Sequence, residues 1–137
     1  MATTNPMSIF QVAGRAMSAQ LIRMNTTASN LANAGGVAGS ADTAYKTMKP
    51  VFRTRFDAAT GLSTVDVEKI VTAGDDPTKR HDPNNPLADK DGNIYEAAVD
   101  ETRELVDMME TARTYQNNVE VMQTAKSLIL DTLKLGR

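Results

Sequence analysis

The chain has 137 residues, which is enough for about one domain, and a net charge of −2. That charge argues against a nucleic-acid binder, since such a protein needs a basic surface to offset phosphate charge. Three Tyr and three Phe are its only aromatic residues, and Trp and Cys are absent. Its apolar residues are mainly Ala, Leu, Val and Met, which suit seams between helices better than a tight globular core.

Residues 8–34 carry the pattern of an amphipathic helix. Pro6 limits helix before this point, and Ser8 opens a capping-box pattern that predicts the helix start. The Gly35–Gly36 pair predicts its end, because glycine can adopt the left-handed conformation of a helix C-cap. The apolar stripe follows alternating spacings of 4 and 3, as in a coiled-coil seam, and comprises Phe10, Gly14, Met17, Leu21, Met24, Ala28 and Leu31.

Residues 35–96 have a different character, with most of the glycines and prolines and no helical period. Residues 47–56 alternate in polarity as a β-strand does, although Pro50 restricts such a strand to a sheet edge or a bulge. Residues 62–71 predict a second strand, and residues 58–61 predict the turn of a hairpin between the two.

The rest of this middle segment has the composition of loops and turns. Residues 75–86 are rich in Asp, Asn and Pro, and residues 89–93 carry the turn signal Asp-Lys-Asp-Gly-Asn. The alternating side chains of this turn resemble a calcium loop, but its glycine is at the fourth position and not the sixth, so a tight turn is the better interpretation. The single histidine, His81, and Asp89 therefore lie in predicted turns without an evident partner.

Residues 100–135 form the longest helical pattern. Asp100 is a suitable N-cap, and Glu101 and Glu104 lie favourably in the first turn against the helix dipole. Gly136 follows the last apolar residue, as a C-cap glycine does. The apolar stripe again steps by 3 and 4 residues, and comprises Leu105, Met108, Ala112, Tyr115, Val119, Met122, Lys126, Ile129 and Leu133.

These elements predict a mainly α fold with a small, β-rich middle segment. We expect the long N- and C-terminal helices to pack as an antiparallel coiled-coil-like pair. Residues 1–34 and 97–137 would form this helical core domain, and residues 35–96 the insert. Other apolar residues lie off both stripes, and they leave open either a helical hairpin within one chain or an assembly in which neighbouring subunits cover them. These residues are Ile9, Val12, Ile22, Val106, Met109, Val121, Leu128 and Leu130.

The first helix ends in Ala-Ser-Asn-Leu-Ala-Asn-Ala at residues 28–34. This segment resembles the N-terminal signature of the bacterial flagellar axial proteins of the rod and hook family. Residues 111–137, with Tyr-Gln-Asn-Asn-Val-Glu-Val followed by Thr-Ala-Lys-Ser, resemble that family's C-terminal helix. Residues 35–46 and 85–95 resemble its short proximal-rod branch, and the chain has no room for the larger middle domains of hook and distal-rod members. The signature residues are Ser29, Asn30, Leu31, Ala32 and Asn33.

The resemblance implies a structural subunit of the proximal rod of the flagellar basal body. This rod is a hollow helical shaft that transmits motor torque across the periplasm and lines the export channel, with the terminal helices in its inner layers. Export would use the flagellar type III system without a cleaved signal, which fits an N-terminus that lacks a secretory pattern. The implied partners are rod subunits of the FlgB, FlgF and FlgG types, the rod-base protein FliE, copies of the chain itself and the type III export apparatus.

The short polar side chains of the signature can bond to backbone or to a neighbouring chain, where the tube-forming helix gives way to the insert. No catalytic constellation accompanies them, so we expect no enzymatic activity, small-molecule substrate, nucleic acid, metal or cofactor. The alternative hypothesis is a soluble helical adaptor or export chaperone whose helical hairpin binds a partner helix. A closed oligomer would favour the adaptor, and open contacts would favour the rod subunit.

Overall fold

The computed structural model describes residues 6–58 and 60–136. Two long terminal helices flank a β-rich middle of two small sheets, which confirms the predicted order of elements. The β-rich part is more extensive than a small insert, because it holds five strands among the described residues. The elements are helix α1 (Pro6–Asn33), strands β1 (Val37–Ala38), β2 (Met48–Asp57), β3 (Leu62–Thr72), β4 (Thr78–His81) and β5 (Asn93–Glu96), and helix α2 (Glu101–Leu135).

Both predicted ends of α1 need correction. The helix already includes Pro6, the first described residue of the chain, so Ser8 lies inside the helix and is not its N-cap. The helix ends at Asn33, and neither Gly35 nor Gly36 has a positive φ. The Gly36 N–H donates instead to the Asn33 carbonyl at 3.0 Å, so a tightened last turn ends the helix without a left-handed cap.

Strands β2 and β3 form the predicted antiparallel hairpin, which we call the hairpin from here on. Its register runs from Met48 opposite Thr72 to Asp57 opposite Leu62. The pairing shifts between Val51 and Phe52, directly after Pro50, so the expected irregularity beside the proline is present. Gly61 closes the turn with a φ of 68°, a conformation that glycine adopts without steric cost.

The second sheet has the order β1-β5-β4, with antiparallel pairing throughout. Its strand β4 lies within residues 75–86, so the prediction of a loop there is wrong. All four residues of β4 are exposed and none is apolar, which leaves no alternating pattern for a sequence to show. Backbone pairing with β5 holds the strand in place, and Ile94 of β5 supplies the fully buried side chain of this sheet.

The ends of α2 agree with the sequence. The Asp100 side chain accepts a hydrogen bond from the Arg103 N–H at 3.1 Å, so Asp100 is the N-cap. The Gly136 N–H donates to the Thr132 carbonyl at 3.2 Å at the C-cap. Within the described residues, neither helix has an apolar stretch long enough to cross a membrane.

The two chain segments that connect the helices to the middle region run side by side. The Ala97 N–H donates to the Gly36 carbonyl at 2.9 Å, and the Ala98 N–H donates to the Tyr45 carbonyl at 3.0 Å. The Thr47 hydroxyl donates to the Ala98 carbonyl, close to a parallel bridge between Lys46 and Ala98. The outgoing and returning chains are therefore joined to each other at the base of the β-rich region.

Helix α1 is the central element, since it contacts both α2 and the hairpin. Among the described residues, no Cα atom of α2 lies within 8 Å of a strand Cα atom. The core is thin, because the buried apolar residues of the described part of the chain are Ala13, Ala19, Ala44, Ile94 and Ala125. A larger buried group is polar or charged, and it comprises Thr26, Thr27, Asn30, Thr47, Thr64, Asn93, Glu104 and Thr111.

Candidate functional site

The side chain of Asn30, in the signature of α1, is the centre of a buried hydrogen-bond network. Asn30 is 1% exposed and makes four hydrogen bonds to three residues. Its Nδ2 donates to the Met48 carbonyl at 2.8 Å and to Glu104 Oε2 at 2.9 Å. Its Oδ1 accepts from the Met48 N–H and from the Tyr45 hydroxyl, both at 2.9 Å. Asn30 thus uses its full bonding capacity to join α1 to β2 and α2.

Charged side chains extend this network along the first turns of α2. Glu104 is 2% exposed, and its second oxygen, Oε1, lies 3.4 Å from the Lys49 ammonium. The same ammonium lies 3.1 Å from Asp107, whose other oxygen lies 3.6 Å from Arg23 of α1. The buried carboxylate of Glu104 therefore has both a hydrogen-bond donor and a countercharge, which a buried charge requires.

We call this set the polar junction, and it consists of Arg23, Asn30, Tyr45, Lys49, Glu104 and Asp107. It lies where the end of α1, the start of β2 and the start of α2 meet. Buried networks of this kind are costly when one member is removed, because the remaining groups lose their partners. The polar junction therefore fixes how the three elements meet.

The other signature residues lie around Asn30 with smaller roles within the chain. Ser29 Oγ is 3.3 Å from the Tyr45 hydroxyl, and Asn33 Nδ2 donates to the Ser29 carbonyl at 2.8 Å in an exposed position. Leu31 is half-buried and Ala32 is exposed. The two asparagines thus differ sharply, since Asn30 connects three elements and Asn33 bonds within its own helix.

The residues predicted to pack between helices or subunits are not fully buried in the single chain. Leu21, Leu105 and Leu133 are 43%, 54% and 65% exposed. The others are half-buried, and they are Phe10, Met17, Met24, Leu31, Met108, Ala112, Tyr115, Val119, Met122 and Ile129. Their role in packing within an assembly stays a prediction.

The buried residues of α2 lie one position before residues of the predicted apolar stripe. Glu104, Thr111 and Ala125 are buried, and each directly precedes a predicted stripe position. The same displacement occurs in α1, where Ala13 and Thr27 are buried in place of the residues that follow them. No apolar pattern in the sequence marks these residues, because their side chains are charged, polar or small.

Short side chains explain the displacement. Ala, Thr and Gly allow two helices to approach closely, and a buried Thr hydroxyl can bond to its own helix. Thr111 does so, since its hydroxyl donates to the Asp107 carbonyl at 2.6 Å. Large apolar residues of both helices consequently face away from the buried positions and are exposed, namely Ile9, Leu21, Ile22, Leu105, Val106, Met109, Val121, Leu128, Leu130, Leu133 and Leu135.

The turn at residues 89–93 is confirmed as a tight turn. Asp89 Oδ1 accepts hydrogen bonds from the Asp91 N–H at 2.9 Å and the Asn93 N–H at 2.8 Å, and Gly92 has a φ of 74°. Asp89 therefore has partners, contrary to expectation, and His81 Nδ1 lies 3.3 Å from Asn93 Oδ1. No group of three or more potential metal ligands occurs among the described residues.

The Asp89 turn predicts an acid-sensitive local structure. The N–H of Asn93, followed by that of Asp91, holds the pKa of Asp89 below 3.8, its ordinary value. Because the folded-state pKa is the lower one, the turn's contribution is fully present above about pH 4 and is lost as the pH falls through the folded pKa. The protection of the Asn93 amide, measured by NMR as its exchange rate relative to the intrinsic rate at the same pH, should fall on acidification, and Asp89→Asn should abolish this pH dependence. An unchanged acid response in Asp89→Asn would contradict the assignment.

Two segments of the chain match flagellar families. Residues 10–39 match the family described as flagella basal body rod protein, and residues 90–135 match the C-terminal region of the flagellar basal body rod FlgEFG proteins. The matched segments contain Asn30 and Glu104, the two sides of the polar junction. Both matches are to flagellar basal-body rod families, which gives the class of protein to which the chain is similar.

Relatives along the full chain are more specific. The chain is 41% identical to the flagellar basal-body rod protein FlgC of Salmonella typhimurium, over 96% of this chain and 98% of the relative. It is 41% identical over the same shares to FlgC of Escherichia coli O6:H1 and 35% identical to FlgC of Buchnera aphidicola from Schizaphis graminum, over 95% and 97%. The chain belongs to the flagellar basal-body rod protein family and is a structural subunit of the rod.

This result confirms the family resemblance of the signature and the C-terminal helix. The relatives are named as rod proteins, which also confirms a structural and not an enzymatic role. It gives no support to the alternative of a helical adaptor or export chaperone.

Proposed function

We propose that the chain is a subunit of the proximal rod, a hollow helical shaft that transmits motor torque across the periplasm and surrounds the export channel. The observation that carries this proposal is the placement of its large apolar side chains. Small and polar residues fill the buried positions of the helices, whereas large apolar side chains of both helices, such as Leu21, Leu105 and Met109, are exposed. Exposed apolar surface of this extent needs partners, and a heterologous contact between identical or related subunits builds an open helical assembly.

We propose that the terminal helices pack antiparallel in a coiled-coil-like manner. Two side-chain contacts support this direction, because Asn30 is hydrogen-bonded to Glu104 while Arg23, earlier in α1, forms an ion pair with Asp107, later in α2. Residues 1–34 and 97–137 would then form the core domain of the tube wall. Residues 35–96 would form the insert, farther from the tube axis.

The remaining parts of the proposal follow from family membership. Rod subunits of the FlgB, FlgF and FlgG types, FliE and further copies of the chain would cover the exposed apolar residues. The chain would reach the periplasm through the flagellar type III export apparatus without a cleaved signal.

Charged substitutions in the predicted packing stripe test the assembly. Leu21→Glu and Val119→Asp should abolish swimming and basal-body rods while the protein is still made, because a charge buried between subunits would have no partner. Leu21 is already 43% exposed, so Leu21→Glu should change the free energy of unfolding of the isolated subunit by less than about 0.5 kcal/mol. Motility plates, electron microscopy of basal bodies and thermal melts measure these effects.

Gln123→Glu is the matched control, because Gln123 is exposed on α2 and already polar. It should swim normally. Normal swimming and normal rods in both Leu21→Glu and Val119→Asp would contradict the assignment of these residues to subunit contacts.

A further inference from the structure

Lys49 holds a position that no sequence pattern singles out. It lies in β2, next to the residue whose backbone binds Asn30, and its ammonium reaches two carboxylates in the first turns of α2. The distances are 3.4 Å to Glu104 Oε1 and 3.1 Å to Asp107 Oδ2. A compact ammonium with three donors can serve two such acceptors at once.

The connections of the hairpin to the two helices are unequal. The hairpin packs on α1 and is joined to it by the Arg15–Asp66 ion pair at 2.9 Å and by the Asn30 bonds to Met48. No strand Cα approaches an α2 Cα within 8 Å in the described ranges. Within those ranges, every ion pair between the hairpin and α2 is made by Lys49.

We propose that Lys49 is a positioning residue that fixes the angle of the hairpin against the helix pair. A hairpin that packs on α1, and whose base is joined to the returning chain through Thr47 and Ala98, can still rock about the axis of that helix. The Lys49 ammonium blocks this motion by holding the start of β2 to α2. This inference rests on the proposed function, in which the helices and the insert occupy different layers of the tube. In that assembly, the Lys49 contact would make the two layers of one subunit move together.

Spin-label distance measurements on the full-length chain test the proposal. The chain has no cysteine, so Ser63→Cys and Gln116→Cys place labels only on the hairpin and on α2. Asn25→Cys with Gln116→Cys reports the helix pair itself, and all three positions are exposed. Lys49→Met should broaden the hairpin-to-α2 distance distribution at least twofold and leave the helix-pair distribution unchanged. Lys49→Arg, which keeps the charge, should restore the narrow distribution.

Lys46→Met is the matched control. Lys46 also forms an ion pair at 3.1 Å, but with Asp76, which is 94% exposed and lies outside α2. It should leave both distributions unchanged. In a Glu104→Gln, Asp107→Asn background, Lys49→Met should add no further broadening, because the carboxylate charges that hold the ammonium are already gone.

Several results would overturn the proposal. An unchanged hairpin-to-α2 distribution in Lys49→Met would show that Lys49 does not set the angle. Equal broadening of both label pairs would show general loss of structure in place of positioning, and a broad distribution in the unsubstituted chain would show that the hairpin is not held at all. These measurements do not depend on rod assembly, which Leu21→Glu tests separately.

Discussion

Asn30→Ala is expected to lower the free energy of unfolding by about 3 kcal/mol or more. The substitution leaves the Met48 backbone groups, the Tyr45 hydroxyl and the buried Glu104 carboxylate without their Asn30 partner. Each buried polar group without a partner costs about 1–3 kcal/mol, and more for a charged one. For a chain of this length we expect the thermal midpoint to fall by roughly 10 °C, measured by circular dichroism.

Asn33→Ala is the control within the same signature. Asn33 is exposed and its side chain bonds to the Ser29 carbonyl of its own helix, so its removal should cost no more than about 0.5 kcal/mol. Swimming should be lost in Asn30→Ala and kept in Asn33→Ala. Equal thermal midpoints in the two variants would refute the special role of Asn30.

Thr111→Leu is expected to destabilise the subunit by about 1–3 kcal/mol, the usual cost of inserting a larger side chain into a packed site. Thr111 is fully buried, and its hydroxyl bonds to the Asp107 carbonyl. A leucine must push α1 away from α2 at this point, although leucine has the higher helix propensity. Chemical denaturation of the purified chain measures the change.

Thr124→Leu makes the same chemical change at an exposed position of α2. It should be neutral or slightly stabilising, because only the propensity changes. Equal stability of Thr111→Leu and Thr124→Leu would show that Thr111 does not lie in the helix contact. The residues of the predicted apolar stripe would then face the other helix instead.

The elements with local sequence signals could be predicted well. The hairpin carries alternation, a proline and a turn glycine, and α2 carries an N-cap aspartate at Asp100 and a glycine at its end. Strand β4 carries no such signal, because its residues are all exposed and its place depends on pairing with β5. The end of α1 has a glycine pair that suggested a left-handed cap, yet ordinary backbone bonds suffice there.

The polar junction could be predicted only in part. The signature pointed to Asn30, and the helix dipole pointed to Glu104, but the two lie 74 residues apart in sequence. Their pairing depends on how α1 and α2 meet, and no local pattern encodes that. The phase of the helix contact could not be predicted for a related reason, since an apolar pattern does not include Thr27 and Thr111.

The joined segments at the base of the β-rich region bear on how proteins of this architecture diversify. Gly36 and Tyr45 on the outgoing chain are hydrogen-bonded to Ala97 and Ala98 on the returning chain, so the ends of the middle region are adjacent in space. The two ends of any sequence inserted beyond these bonds are already held close together, as at sites that tolerate domain insertion. The helix pair can therefore keep the same structure with middle regions of different lengths. A longer middle region leaves the buried contacts of Asn30 in place.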